Sequence, residues 1–371
     1  PVLSLLCSKL MPEFMRCVNP TSTFQVGDLA RVPYAKPRAF QNNSALDLRV
    51  VQLARADWDA FETSWNFTTL PLLLLEYRSE TLKATYARLR AHWRSVTDEM
   101  QRLEEENNHL FVDAYGLQDE LTTEVPIKEI TLTCNPAYRY GGEKADAELE
   151  ELLLADTMRE FVSYAVGCMF GRYSLDVPGL ILANQGEGLD EYRAKVPNPT
   201  FEPDTDNVIP VLDGDWFADD IAARFRRFLR VTFGEEHFQE NLAFVEEALG
   251  KDIRRYFTRD FFNDHVKRYK KRPIYWLFSS PKGSFNALIY MHRYRLDTVS
   301  VVLNDYLREF RSKLEAHRRA QESLSISGDA SPAQKTKALK EIEATARQMP
   351  SSTPMPRRIS TPFCGCSSSV G

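Results

Sequence analysis

The chain has 371 residues, of which 43% are hydrophobic and 27% charged, with 16 glycines and 20 prolines. This balance is typical of a globular protein and excludes collagen-like, low-complexity and wholly disordered classes. The longest apolar run, residues 70–75, contains a proline and falls far short of the roughly 20 residues that a bilayer-spanning helix needs. Because no signal-peptide pattern is present either, the chain is predicted to be cytoplasmic, with no membrane partner. It starts at Pro1 without an initiator methionine, so we expect a piece of a longer protein.

The cysteines and histidines argue against a metal site. The six cysteines include no C-x-x-C pair, and the six histidines show no H-E-x-x-H spacing. In a chain of this length such usage indicates free thiols in a reducing compartment. We therefore expect neither a metal ion nor a disulfide framework.

Charge is distributed unevenly along the chain. Residues 141–220 carry 18 acidic against 5 basic side chains, a balance of −13. Residues 251–320 carry 17 basic against 7 acidic side chains, a balance of +10. A basic block within an acidic protein is typical of a face that binds a polyanion, although a solvated helix surface would give the same count.

The N-terminal third predicts a short strand followed by a long helix. Residues 24–32 are typical of a loop that enters a short strand, and Pro33 stops that strand. From Arg78 to about Leu110, apolar residues recur at alternating spacings of four and three, and Gly116 follows as a predicted helix end. This seam comprises Leu82, Tyr86, Leu89, Trp93, Val96, Met100 and Leu103. It fits either one arm of an intermolecular coiled coil or a spacer packed on its own chain, and three heptads are short for a stable dimer.

The middle of the chain predicts alternating helices and strands. The predicted elements are a strand over 127–134, a helix over 148–169, a strand over 180–183, a loop over 184–210, and a helix capped by Asp219 or Asp220. Two strands, 273–278 and 286–290, then flank a turn over 279–283.

The C-terminal part predicts a helix from about Asp297 past Arg319, a helical patch over 335–347 and disorder over 349–371. The fold class is therefore α+β, with a long helical spacer followed by a mixed α/β region. We divide the chain into a junction over 1–77, a spacer over 78–120, a mixed region over 121–320 and a tail over 321–371.

Two motifs suggest methyltransferase chemistry. Asn135, Pro136, Ala137 and Tyr138 approximate the Asn-Pro-Pro-Tyr loop with which adenine methyltransferases hold the exocyclic amine and stack on the flipped base. Alanine at 137 lacks the rigid backbone of the second proline, which favours an ordinary turn at the end of a strand.

The second motif is the G-x-G of Gly186 and Gly188, which follows an apolar run as in a nucleotide or S-adenosylmethionine loop. Such a loop opens a helix, whereas the residues that follow here read as an acidic, proline-rich loop. The cofactor interpretation is therefore weak.

The basic block contains the strongest candidate for ligand binding. Five cations fall within the six residues 267–272, and they repel one another unless an anion neutralises them. Cations of this kind supply phosphate contacts to DNA, and arginines can also read base edges. The predicted DNA-binding residues are Lys267, Arg268, Lys270, Lys271, Arg272, Lys282, Arg293 and Arg295.

Several segments resemble one known family. Residues 163–176, SYAVGCMFGRYSLD, closely resemble a segment of the PglX-type adenine-specific DNA methyltransferases of BREX phage-defence systems. Residues 271–282, KRPIYWLFSSPK, and 287–294, ALIYMHRY, are similar to a second block, and residues 19–30 to the junction after the catalytic domain. The resemblance covers about residues 15–320.

The resemblance implies a target-recognition region from an enzyme that methylates adenine N6 in duplex DNA with S-adenosylmethionine. That cofactor and the catalytic residues belong to an N-terminal methyltransferase domain, which we expect as a partner, so this chain is expected to bind no cofactor. Two alternatives remain: a permuted methyltransferase that uses Asn135, Pro136 and Tyr138, and a scaffold that docks other BREX proteins through the heptad helix.

Overall fold

The computed structural model describes residues 2–19, 21, 23–35 and 45–350, and the backbone of residues 355–356. The described residues fall into two compact units. Unit 1 takes in those of 1–79 and 83–156, and unit 2 takes in 80–82 and those of 157–371. The boundaries after Leu82 and after Asp156 each fall within a helix, and the finer boundaries at residues 77, 120 and 320 stay predictions.

Helices make up most of both units. The α-helices are α1 Val2–Leu6, α2 Leu10–Val18, α3 Val26–Leu29, α4 Ala45–Asp59, α5 Leu82–Tyr115, α6 Pro136–Tyr140, α7 Asp146–Met169, α8 Leu189–Lys195, α9 Ile221–Phe233, α10 Phe238–Leu249, α11 Ile253–Tyr256, α12 Phe262–Arg268, α13 Thr298–Val301, α14 Arg308–Ile326 and α15 Pro332–Gln348. Short 3-10 turns cover Pro71–Leu73, Leu75–Tyr77, Ile127–Glu129 and Met291–Arg293. π-Helical turns cover Phe257–Phe261 and Val302–Leu307.

The long helix α5 organises unit 1. It ends before Gly116, whose φ of 68° is left-handed and costs glycine little. Met100 and Leu103 of its seam are buried against Leu46 and Leu53 of α4, with Trp93 and Val96 packed on the same cluster. The seam therefore packs within the chain, as the second alternative predicted.

Unit 2 is built on a small antiparallel sheet of β1 Ile209–Pro210, β2 Tyr275–Ser279, β3 Asn286–Tyr290 and β4 Met355–Pro356, in the order β1-β3-β2-β4. In the central hairpin Tyr275 lies opposite Tyr290 and Phe278 opposite Ala287. Buried side chains of the hairpin pack on Phe310 of α14. The α+β class and the predicted hairpin are confirmed.

Three predicted strands are wrong. Residues 26–29 form helix α3, which Gln25 and Asp28 cap reciprocally. Residues 127–134 begin with a 3-10 turn, and the N–H groups of Thr133 and Cys134 donate to the carboxylate of Asp57 instead of to a neighbouring strand.

Residues 180–183 form no strand either. The N–H of Ile181 donates to the carbonyl of Arg172 at 2.9 Å, and that of Leu182 to the carbonyl of Gly171 at 3.2 Å. Farther along, the predicted loop over 184–210 contains helix α8.

The remaining helices agree with the sequence more closely. Asp220 caps α9 by accepting from the N–H of Ala223, and Ile221, Phe225 and Phe228 are buried on its inner side. The predicted helical patch is part of α15, which packs along α14. Of the residues predicted to be disordered, 351–354 and 357–371 lie outside the described part of the chain, and residues 355–356 form β4. Within the described residues, no helix combines the length and apolar character needed to cross a bilayer.

Candidate DNA interface

A left-handed turn after α12 holds the densest part of the basic cluster at the surface of unit 2. The φ angles of Lys270 and Lys271 are 50° and 65°. The turn is closed by the N–H of Lys271, which donates to the carbonyl of Val266 at 2.8 Å. Because a β-carbon is strained in this region, each lysine costs about 1 kcal/mol where glycine is the usual residue. The geometry leaves Lys270, Lys271 and Arg272 exposed.

Most charges of this turn lack an anionic partner. Among the described residues, no carboxylate lies within 4.0 Å of the side-chain nitrogens of Lys270, Lys271 or Arg272. Lys267, whose side chain is 81% exposed, makes one long contact of 3.9 Å with Asp264. The turn is therefore a surface of positive charge that its own unit does not neutralise.

A buried histidine fixes the turn to the sheet. His265 Nε2 accepts from the N–H of Ile274 at 3.1 Å and from that of Tyr275 at 3.2 Å, at the start of β2. Burial, with the charges of Arg268 and Arg172, lowers the pKa of His265 to about 3. The imidazole is therefore neutral at physiological pH, which keeps Nε2 free to accept both bonds. Arg268 is half-buried and therefore less exposed than Lys270, Lys271 and Arg272.

The hairpin separates the other predicted contacts. Since Tyr275 pairs with Tyr290, Arg272 before β2 and Arg295 after β3 lie toward the same end of the hairpin. Lys282 lies in the turn at the opposite end, about 17 Å away for a five-residue strand. Arg295 therefore follows the strand end that faces the start of β2, whereas Lys282 lies at the other end of the hairpin.

Arg293 is not available to DNA, which corrects its prediction as a DNA-binding residue. It is 5% exposed, and its guanidinium donates to the carbonyls of Phe170, Asp204 and Thr205. All three contacts lie inside unit 2, so Arg293 supports the fold. A count of charges along the sequence cannot detect this role.

Sequence reasoning also missed a second buried arginine. Arg172 donates from Nε to the hydroxyl of Tyr173 and from Nη1 to the hydroxyl of Tyr290, both at 3.1 Å. The Tyr290 hydroxyl donates in turn to the carbonyl of Leu182 at 2.7 Å. Among the described residues no carboxylate pairs with Arg172, so tyrosine hydroxyls bind its charge. Its position within residues 163–176, which closely resemble a segment of the family, was the available signal.

The Asn135 motif is used structurally. The side-chain amide of Asn135 donates to the carbonyls of Ile127 at 2.7 Å and Ile130 at 2.9 Å, and its oxygen accepts from the N–H of Ala137. The residue is 2% exposed and caps α6. Its polar atoms are thus engaged by backbone, as in an ordinary turn, while Tyr138 is exposed.

The backbone N–H groups at the G-x-G segment donate to nearby carboxylates. Glu187 accepts from the N–H groups of Ala183 and Asn184, and these hydrogen bonds lower the pKa of Glu187 to about 2. Glu191 accepts from the N–H of Gly188 at 2.7 Å. A helix does follow the motif, contrary to the prediction, but the negative charges occupy donors that a phosphate or carboxylate ligand would need.

Gly188 has a different use. A β-carbon built on it would lie 2.6 Å from Nη2 of Arg295, so the glycine leaves room for that guanidinium. This proximity shows that the Arg295 guanidinium lies beside the motif.

The chain matches no family model. It is 35% identical over 333 residues to the adenine-specific methyltransferase BrxX of Escherichia coli O9:H4 (strain HS), which covers 85% of this chain and 27% of that protein. It is 36% identical over 327 residues to the adenine-specific methyltransferase PglX of Lacticaseibacillus casei (strain Zhang), which covers 84% of this chain and 25% of that protein. The chain is thus homologous to these methyltransferases over most of its length and spans about a quarter of theirs.

Proposed function

We propose that this chain, a homologue of the BrxX and PglX adenine-specific methyltransferases, is the DNA target-recognition part of an adenine N6 methyltransferase in a BREX phage-defence system. A separate methyltransferase domain binds S-adenosylmethionine and transfers the methyl group. This chain binds the duplex and discriminates among sequences. The observation that carries the proposal is the exposed, unneutralised turn of Lys270, Lys271 and Arg272.

The turn has the properties of a phosphate-binding element. Its cations repel one another in the free protein, and DNA phosphates would relieve that repulsion while releasing condensed counterions. The two left-handed lysines show that the backbone keeps this arrangement despite its strain. Strain that persists in an exposed basic turn supports a functional role for it.

In this proposal, the arginines that read DNA bases are two exposed ones that flank the start of β2 and the end of β3. Arg272 and Arg295 are exposed, and an arginine that binds guanine bidentately in the major groove gives about 1–3 kcal/mol of discrimination. Arg293 is withdrawn from this role because backbone carbonyls hold its guanidinium.

The other two functions receive less support. A permuted methyltransferase would need Asn135 and the Gly186–Gly188 segment for adenine and cofactor, whereas both serve local structure. A scaffold that docks through the heptad helix would need the seam of α5 at the surface, whereas Met100 and Leu103 are buried within unit 1.

The experiment measures binding of the 371-residue chain to duplex DNA by fluorescence anisotropy over a range of salt concentrations. Each phosphate contact contributes about 0.9 to the slope of log affinity against log salt, so the Lys270→Ala/Lys271→Ala variant should lose up to about 2. Affinity should fall similarly for all sequences, because phosphate contacts carry no sequence information.

The matched control is Lys337→Ala/Lys340→Ala, which removes two exposed lysines from α15. This control should keep the wild-type slope. Equal slopes for the wild type and the Lys270/Lys271 variant would reject the basic turn as the DNA contact.

A further inference from the structure

We propose that the exposed edge of residues 253–268 follows one strand of the duplex through Arg255, Arg259, Asn263 and Lys267. The inference rests on the proposed function and extends the DNA contact beyond the basic turn. This edge, called here the helical stripe, comprises those four residues. They lie on one continuous helical segment that joins α11, a π-helical turn and α12.

Burial separates the helical stripe from the rest of the segment. Its four members are exposed and recur every four residues. The opposite side is buried through Ile253, Tyr256, Phe257, Phe261, Phe262 and His265. The stripe is therefore the surface that this segment offers to a partner.

The cations at the start of the stripe differ from their neighbour Arg254 in their partners. Arg254, next in sequence, is held by Asp215, Asp220 and two backbone carbonyls. Arg255 and Arg259, by contrast, have no carboxylate within 4.0 Å among the described residues. The fold thus supplies acceptors for the guanidinium of Arg254 but no carboxylate partner, among the described residues, for Arg255 and Arg259.

The π-helical turn keeps these residues in line. An α-helix has 3.6 residues per turn, so side chains spaced by four drift around the axis by about 40° at each step. A π-helical turn contains more residues than an α-helical turn and so reduces that drift. Arg259 lies within the π-helical turn Phe257–Phe261. Side chains support this turn, because the Thr258 hydroxyl donates to the carbonyl of Arg254 at 3.1 Å and the Asn263 amide to that of Arg259 at 3.4 Å.

The dimensions suit a DNA strand. At about 1.5 Å per residue, Arg255 and Lys267 are about 18 Å apart along the helix, which spans about five base-pair steps of about 3.4 Å. The stripe then leads into Lys270 and Lys271, so the same track of cations continues into the basic turn. Asn263 can donate to a phosphate oxygen between the charged residues.

A shallow cleft of about 460 Å³ lies at the Arg255 end of the stripe. Two of its carboxylates have partners: Asp260 pairs with Lys251 at 2.6 Å, and Asp252 accepts from the N–H of Arg255 at 2.9 Å. Asp213 is the remaining carboxylate of the lining and is exposed. The negative charge of Asp213 would repel a phosphate at this point. Removing that charge should therefore strengthen DNA binding, whereas removing the arginines should weaken it.

The test compares Arg255→Gln/Arg259→Gln with Arg308→Gln/Arg311→Gln in the 371-residue chain, where the second pair removes two exposed arginines of α14. Thermal midpoints and circular dichroism verify that both variants fold. On duplexes of several sequences, the stripe variant should lose up to about 2 from the salt slope and the control should lose nothing. Asp213→Asn should tighten binding about twofold at low salt.

The outcomes separate this inference from the proposed function. If Lys270→Ala/Lys271→Ala lowers the salt slope but Arg255→Gln/Arg259→Gln leaves it unchanged, the stripe does not contact DNA and the proposed function stands. A loss confined to a subset of sequences would also overturn the inference, because it indicates base reading. Failure of the wild-type chain to bind any duplex would overturn both.

Discussion

Unit 2 contains two sets of basic side chains that look alike in the sequence and differ in the structure. Arg224, Arg254 and Arg293 are held inside the unit by carboxylates or backbone carbonyls. Lys270 and Lys271 are exposed on a strained turn, with no carboxylate partner among the described residues. The role of a cation here depends on whether the fold supplies acceptors for its hydrogen bonds, and not on how many cations surround it in sequence.

This difference determines which measurement detects the loss of a buried arginine and which detects the loss of an exposed lysine. Removing a buried, fully bonded arginine leaves acceptors without donors, so its effect is on the free energy of unfolding. Removing an exposed, unpaired lysine changes stability little, so its effect is on salt-dependent binding.

Arg293→Ala should destabilise the chain by about 3 kcal/mol, because three carbonyls lose their donor and a cavity replaces the side chain. Urea denaturation followed by circular dichroism measures this loss. Arg295→Ala, two positions away and exposed, should change the free energy of unfolding by less than about 0.5 kcal/mol. Similar losses in the two variants would contradict the assignment of Arg293 to the core.

The buried His265 should make stability depend on pH. Its pKa is lowered from 6.5 to about 3 in the folded chain, so below pH 6.5 only the unfolded chain takes up the proton. The stabilisation is complete above that pH and is lost as the pH falls, by about 2 kcal/mol at pH 5. Unfolding free energies measured between pH 7 and pH 5 test the direction and the size.

His265→Gln is the matched variant for that measurement. Glutamine can accept a hydrogen bond from the start of β2 but does not titrate. The variant should be less stable at pH 7 and should lose the part of the pH dependence that belongs to His265. An unchanged slope between pH 7 and pH 5 would show that the imidazole already titrates normally in the folded chain.

Lys270→Gly should stabilise the chain by about 0.5–1 kcal/mol, because glycine adopts the left-handed φ of 50° without strain. The same substitution should weaken DNA binding by removing a cation. Lys267→Gly, within α12, should instead destabilise by about 1 kcal/mol. A loss of stability for both variants would mean that residue 270 is not strained in solution.

The sequence pattern correctly predicted the helices and strands that depend on residues close together in the sequence. The seam from Leu82 to Leu103 predicted α5 because its period depends only on the helix itself, and the hairpin of β2 and β3 needs only a short turn. The wrong strand over 127–134 is a strand-like run in which the backbone N–H groups of Thr133 and Cys134 donate to the side chain of Asp57, which is distant in sequence. A strand requires a neighbour, and a single sequence does not show one.

The candidate interface was predictable in part for the same reason. The cluster of residues 267–272 is visible as composition, whereas the burial of Arg293 depends on carbonyls 88 to 123 positions away. The unpaired state of Arg255 and Arg259 likewise appears only once the partners of Arg254 are known. Long-range pairing, and not residue type, separates the two groups.

The most direct test of the basic turn is acetylation of lysines in the wild-type chain with and without duplex DNA, read by mass spectrometry. Bound phosphates should slow acetylation of Lys267, Lys270 and Lys271 several-fold. Lys337 and Lys340 on α15, which are also exposed, should react at the same rate in both states. Protection of the α15 lysines with none at residues 267–271 would show that the basic turn does not contact DNA.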